Sequence, residues 1–215
     1  MLNKSAIILA GGSSGRFEED KGMIELEHEP LIRYVYKAVR GLVDEVIIVT
    51  DSQERADRYA EVLPDTVKFV LDSRESKGPL IGAITGFEAA QGKYSLLLPY
   101  DAPFVSQEVI SLLFDCGIGK TAAIPRNPDS EIEPLCAVYQ TKLVLETAKK
   151  VADEGAVDLQ TLVEELRGVR FISTMVIEQI DPQFRSFFSV ITPLDLRKAV
   201  VMLQPNKQKR TKTKR

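Results

Sequence analysis

Ser5-Ala6-Ile7-Ile8-Leu9-Ala10 runs without a break into Gly11-Gly12-Ser13-Ser14-Gly15-Arg16, and Asp20-Lys21 follows shortly after. The first six residues are uncharged and do not alternate with polar ones, which is the pattern of a strand buried on both faces of a parallel sheet. A glycine turn directly after such a strand lets backbone N–H groups approach a phosphate closely. Arg16 and Lys21 add the positive charge that a triphosphate requires. The plain alternative is a glycine turn with two exposed cations beside it.

Two better-known glycine motifs do not fit. A P-loop needs Gly, four residues, then Gly-Lys-Ser/Thr. Gly119-Lys120-Thr121 supplies only the end, and Phe114 stands where the first glycine belongs. The dinucleotide fingerprint needs G-x-G-x-x-G opening a helix. The spacing of Gly11, Gly12 and Gly15 differs, and no strong helical pattern follows at once.

Outward from this turn the chain alternates strand and helix. Leu31, Val35, Val39 and Leu42 recur at helical spacing behind Pro30, a residue suited to a helix start. Glu45–Thr50 reads as a strand. Ala56, Tyr59, Ala60 and Leu63 mark a helix that Pro64 stops. Val67–Leu71 is a strand, Leu80–Gln91 a helix and Tyr94–Pro99 a strand. Further on, helices are expected at Ser106–Phe114, Lys142–Asp153, Leu159–Leu166 and Pro193–Val201, and strands at Thr121–Pro125, Leu135–Tyr139 and Val169–Ile172, the last near a sheet edge. This predicts a Rossmann-like three-layer α/β/α sandwich with a mostly parallel sheet. It also predicts one domain over residues 1–203 and a basic, disordered tail over 204–215. In such sheets ligands sit at the carboxyl ends of the strands, so the loops after Ala10, Leu71 and Pro99 are expected to line one pocket.

The third of those loops reads Pro99-Tyr100-Asp101-Ala102-Pro103. A carboxylate just past a parallel strand, held between two prolines, is placed to bind Mg²⁺, which commonly takes one or two carboxylates plus phosphate oxygens and water. The alternative is a turn aspartate capping the helix near Ser106. Asp72 follows the third strand and is a candidate for a ribose or base edge. Gly78-Pro79-Leu80-Ile81-Gly82 is a candidate for laying backbone against a flat base, or else an ordinary turn.

Composition narrows the field. No apolar run approaches the ~20 residues of a membrane span, and the run at Ala6–Ala10 is too short for a signal-peptide core. With one histidine, His28, and with Cys116 and Cys136 outside any ligand spacing, a zinc site is not indicated. Two thiols without a secretory signal suggest a reducing, cytoplasmic setting, with both cysteines as inert buried groups. The net charge is −3, yet residues 204–215 hold six basic residues and no acidic one, leaving the body at roughly −9. The tail suits an anionic surface or nucleic acid, or is simply solvated; the acidic body argues against a nucleic-acid-binding domain.

Taken together these segments resemble the molybdenum cofactor guanylyltransferases, of the nucleotide-diphospho-sugar transferase-like superfamily. The family pattern of Leu-Ala-Gly-Gly, an Arg, Asp-Lys and a short apolar strand is matched from Leu9 to Leu26. Gly78-Pro79-Leu80 with Gly82 resembles its Gly-Pro-Leu segment, and Leu98–Phe104 its Pro-x-Asp-x-Pro segment. Glu133-Pro134-Leu135 stands where the family has His-Pro-Leu, and Ile191-Thr192-Pro193-Leu194-Asp195-Leu196 resembles its closing Asn-Thr-Pro-Glu-Asp-Leu. The likeness spans Ser5 to about Val201. Glu18, Glu133, Ser189 and Ile191 depart from the pattern, the last two standing where the family has asparagines on the acceptor side.

The resemblance implies that a terminal phosphate of Mo-molybdopterin attacks the α-phosphorus of GTP and pyrophosphate leaves. Asp101 would hold Mg²⁺, Arg16 and Lys21 would offset charge on the leaving group, and Gly11 and Gly12 amides would cradle the triphosphate. Leu9, Ala10, Asp72, Gly78, Pro79 and Gly82 would set base and ribose recognition. Molybdoenzymes or cofactor-biosynthesis proteins are the partner class it implies. Two rivals stay open: a sister guanylyl-, cytidylyl- or sugar-nucleotide transferase with another acceptor, such as a phospholactate guanylyltransferase, and a nucleotide-binding protein without turnover.

Overall fold

The computed structural model describes residues 3–12, 17, 19–72 and 78–204. Arg16, Glu18 and the basic run 205–215 therefore lie outside the described residues. In chain order the elements are β1 (Lys4–Leu9), a 3₁₀ turn (Lys21–Met23), β2 (Glu25–Leu26), β3 (Glu29–Pro30), α1 (Leu31–Val39), β4 (Glu45–Thr50), α2 (Gln53–Val62), β5 (Lys68–Leu71), α3 (Pro79–Ala89), β6 (Tyr94–Pro99) and α4 (Gln107–Gly117). Then come β7 (Ala122–Arg126), β8 (Ala137–Gln140), α5 (Thr141–Asp153), α6 (Leu159–Glu165), β9 (Val169–Ser173), α7 (Thr174–Ile177), a second 3₁₀ turn (Arg185–Phe187) and α8 (Pro193–Leu203).

Seven strands form one sheet in the order β5-β4-β1-β6-β8-β7-β9. All its pairings are parallel except those of β8, which runs antiparallel to both β6 and β7. The expected mostly parallel sheet is present, with Val169–Ser173 on its edge. Strand order reverses at β1, because the chain moves outward through β4 and β5 and then returns to β6 on the other side. A crevice opens at such a reversal, beyond the carboxyl ends of the strands.

The uninterrupted apolar run of β1 has a direct cause. Successive side chains of a strand point to opposite faces. Ala6 and Ile8 join a core with Ile32, Val35 and Val39 of α1 and with Val109, Ile110 and Leu113 of α4. Ile7 joins the core on the other face with Leu80, Ile84 and Phe87 of α3 and Val144 and Ala148 of α5. Both faces are covered, so neither can be polar.

The helix starts follow local chemistry. Ser52 caps α2 by accepting from Arg55 N, and Ser106 caps α4 by accepting from Val109 N at 3.1 Å. Thr192 and Asp195 form a reciprocal capping box on α8. Asp101 is thus not the cap of α4. β2 lies where the resemblance implies a short strand ending at Leu26, whereas its hairpin partner β3 and the short α7 are not predicted from the sequence. The hairpin turns through Glu27 and His28, both with positive φ, and shows none of the Asn-Gly or Asp-Gly pairs that announce such a turn. Among the described residues no helix is long and apolar enough to cross a membrane.

Candidate active site

A cavity of about 640 Å³ opens where the strand order reverses. Leu9, Gly11 and Gly12 line it from the end of β1, Asp72 from the end of β5, and Gly78, Pro79 and Gly82 from the start of α3. Asp101 lines it from the end of β6. The three expected loops thus meet in one place.

Lys21 reaches this place from the 3₁₀ turn. Its Nζ lies 2.8 Å from Asp101 Oδ2, and both side chains are close to nine-tenths buried. The ammonium also sits 5.4 Å from the centre of the Tyr100 ring. Burial, followed by the charge of Asp101, pushes the Tyr100 phenol well above its ordinary range, so it stays a neutral wall.

Two expected contacts come out differently. Ala10 does not line the cavity. It is fully buried, its N–H donates to Val49 O at 2.8 Å, and its carbonyl accepts from Arg55. Gly12 does line the cavity, but its N–H is already taken by Asp51 Oδ2 at 2.9 Å. Its φ of +108° is one that L side chains rarely adopt, so glycine is required there by the backbone as well as by any ligand. Asp72 is buried at the cavity wall and accepts from Thr85 Oγ1 at 3.1 Å.

Behind the glycine turn lies a set of charges that the sequence pattern does not announce as part of the site. Arg55 of α2 donates to Asp51 at 2.7 Å and to Asp20 at 3.1 Å. Burial alone would lower its pKa; Asp20, Tyr59 and Asp51 outweigh that and raise it. Tyr59 donates to the second oxygen of Asp20 at 2.8 Å. One signal was available: Asp51, like Asp72, is the first residue past a parallel strand. Thr50, just before it, lines the cavity with a buried hydroxyl that has no hydrogen-bond partner among the described residues.

A second wall is formed by Glu133, Leu135 and Cys136 just ahead of β8, with Ser186, Phe187, Ser189 and Ile191 from the stretch before α8. Burial first, then the charge of Glu131, raises the Glu133 carboxyl above its ordinary range. Burial pushes the Cys136 thiol up to about 12, so it carries no thiolate near neutral pH. Cys136 is buried and unpaired, as expected of an inert thiol.

Among the described residues no serine, threonine or cysteine lining the cavity is hydrogen-bonded to a histidine. His28 sits exposed in the hairpin turn, and no group of three or more His, Cys, Asp or Glu among the described residues could hold a metal unaided. The site offers instead a buried lysine–carboxylate pair beside a glycine turn. That suits alignment of a polyanion and a metal whose remaining ligands come from substrate and water.

The family described as the MobA-like NTP transferase domain matches residues 6–169. A probable molybdenum cofactor guanylyltransferase of Methanosarcina acetivorans is 34% identical over 200 residues, covering 90% of this chain and 88% of the relative. One from Natronomonas pharaonis is 30% identical, covering 93% and 98%. Among solved structures, molybdopterin-guanine dinucleotide biosynthesis protein A of Archaeoglobus fulgidus superposes with a TM-score of 0.79 at 22% identity, covering 92% of this chain and 97% of that one. The last likeness bears on the fold alone.

Proposed function

The chain belongs to the MobA-like NTP transferase family, and we propose that it is a molybdenum cofactor guanylyltransferase, moving GMP from GTP to Mo-molybdopterin. The observation that carries this reading is the buried contact of Lys21 with Asp101 at 2.8 Å, beside a cavity edged by Gly11 and Gly12. Relatives with 30–34% identity over most of the chain, named as probable enzymes of this kind, support the choice of acceptor.

In the reaction a phosphate oxygen of the acceptor bonds to the α-phosphorus of GTP, the bond from that phosphorus to the β-phosphate oxygen breaks, and pyrophosphate leaves. The nucleophile is already an anion near neutral pH, so no protein base is needed. The residues present fit a single Mg²⁺: Asp101 is a buried hard-oxygen donor and would hold it, with phosphate oxygens and water completing the shell. When bound, the ion supplies neutralisation of phosphate charge.

The chain's own part is exchange of partners. Separating a buried ion pair by removing one member costs about 3–5 kcal/mol. Asp101 would hold the metal and Lys21 would meet phosphate oxygens, so binding of both together would leave neither residue's charge stranded. Lys21 then faces the departing pyrophosphate, with Arg16 assigned to the same task. Gly11 brings backbone close to the phosphates, while Leu9, Asp72, Gly78, Pro79 and Gly82 shape the base and ribose side. The proposal extends to a cytoplasmic setting and to residues 1–203 acting as one domain apart from the basic tail.

The test is pyrophosphate release with each NTP, with and without molybdopterin. Release with GTP only when molybdopterin is present is expected. A pyrimidine preference overturns the guanine assignment. Release with GTP only when another phosphorylated acceptor is supplied overturns the molybdopterin assignment, an outcome that Glu133 on the second wall makes worth measuring.

A further inference from the structure

Arg55 does not line the cavity, yet it touches two of the segments that line it and the neighbouring turn that carries Lys21. Nη1 donates to the carbonyls of Ala10 at 3.2 Å and Gly12 at 3.3 Å, the residues on either side of Gly11. The same nitrogen lies 2.7 Å from Asp51 Oδ1, at the end of β4. Nε lies 3.1 Å from Asp20 Oδ2, in the turn that carries Lys21. Both carboxylates pass the hold on. Asp51 takes the Gly12 N–H through its other oxygen at 2.9 Å. Asp20 takes the Gly22 N–H at 3.1 Å and the Tyr59 hydroxyl at 2.8 Å through its other oxygen. Gly22 leaves the room for that hydroxyl, since a Cβ there would collide with the Tyr59 ring and oxygen.

An ion pair that merely steadies α2 would stay on α2. This one fastens the backbone on both sides of Gly11 and, through Asp20, the base of the Lys21 turn. A planar guanidinium with donors in a fixed fork can do this; a single ammonium cannot span the same partners. The Arg55 and Asp20 side chains are 16% and 7% exposed, so these charge-assisted bonds are little diluted by water.

We infer that Arg55 is a positioning residue for the nucleotide: it fixes the glycine turn and the Lys21 turn relative to each other before the triphosphate arrives. The inference rests on the function proposed above, because it takes those two turns as the phosphate-binding elements. It predicts an effect on the donor and not on the acceptor.

Arg55→Ala and Arg55→Lys test it, with equilibrium titration by the nucleoside triphosphate that wild-type protein prefers and with KM values for both substrates. Arg55→Ala is expected to weaken triphosphate binding and kcat/KM by about 30–100-fold, the scale of a misplacement near 1 Å, while the acceptor KM stays within about twofold. Arg55→Lys should recover little of it. Millimolar methylguanidinium should restore part of the loss in Arg55→Ala and none in Lys21→Ala. Triphosphate affinity within about threefold of wild type, an equal loss at both substrates, or no chemical rescue overturns the inference. If Arg55→Ala does not fold, Tyr59→Phe removes only the hydroxyl on Asp20. It should weaken triphosphate binding by about 3–10-fold, the scale of one such hydrogen bond, and an unchanged affinity overturns the inference. Triphosphate titration needs no acceptor. A wild-type protein that binds triphosphate but ignores molybdopterin therefore counts against the proposed function, not against the role of Arg55.

Discussion

The two walls of the cavity treat charge in opposite ways. Along and behind the donor wall, Lys21 pairs with Asp101 and Arg55 pairs with Asp51 and Asp20, at 2.7–3.1 Å; of these residues Asp101 and Asp51 line the cavity itself. Each charge is met by an opposite one, and the backbone of the glycine turn is tied into the same network. On the second wall Glu133 is half-buried, and the one charged neighbour that shifts it, Glu131, has the same sign. The rest of that wall is mainly Leu135, Cys136, Phe187, Ile191 and two serines. The difference teaches that the donor half is held in place before any ligand arrives. The other half carries a charge that no cation among the described residues offsets.

The largest test of this contrast is Asp101→Asn, which keeps the volume and a hydrogen-bonding oxygen for Lys21. Under the proposed function, turnover falls by at least ~10²-fold, because the metal's charge stabilisation is worth several kcal/mol. Pyrophosphate release across a Mg²⁺ titration checks it, and turnover within a few-fold of wild type would break the assignment. Lys21→Ala comes next. Loss of one charge-assisted contact should weaken GTP by about 10–100-fold and GMP much less, since Lys21 is assigned to the outer phosphates. Competition binding with both nucleotides reads the ratio, and equal losses remove the phosphate role.

The donor wall was also the legible one. Gly11, Gly12, Asp72 and Asp101 stand out because glycine and aspartate just past apolar strands have few structural excuses, and Lys21 and Gly78 because they lie in the loops that follow those strands. The bounds of Glu45–Thr50 and Tyr94–Pro99 read correctly because both are apolar runs closed by turn residues. Arg55 was invisible for a physical reason. Asp51 and Arg55, four apart, look like an ordinary exposed helical pair, and bonds to the carbonyls of Ala10 and Gly12 leave no side-chain signature. At Gly12 the sequence shows a glycine's freedom but not that Asp51 holds its N–H. Ser186 and Phe187 on the second wall come from a short 3₁₀ turn, which has too few residues to show a period.

The smallest test falls on that second wall. Burial, then Glu131, raises the folded-state pKa of Glu133 above its unfolded value, so the folded protein binds that proton more tightly than the unfolded chain does. Below the ordinary carboxyl range both states are protonated and the residue is neutral to stability. As pH rises through the window between the ordinary value and the raised one, the folded state loses ground, and above that window the whole cost is present. Glu133→Gln has no charge to desolvate and should escape it. Because the side chain is only half-buried, solvent screens the effect to about 0.5 kcal/mol or less, or roughly 1–2 °C in melting temperature for a chain of this length. Paired melts should therefore show the variant slightly more stable at pH 7 and the two proteins equal near pH 3. A variant that melts below wild type at pH 7 would mean the carboxylate has a compensating partner, and the contrast between the walls would then be one of degree.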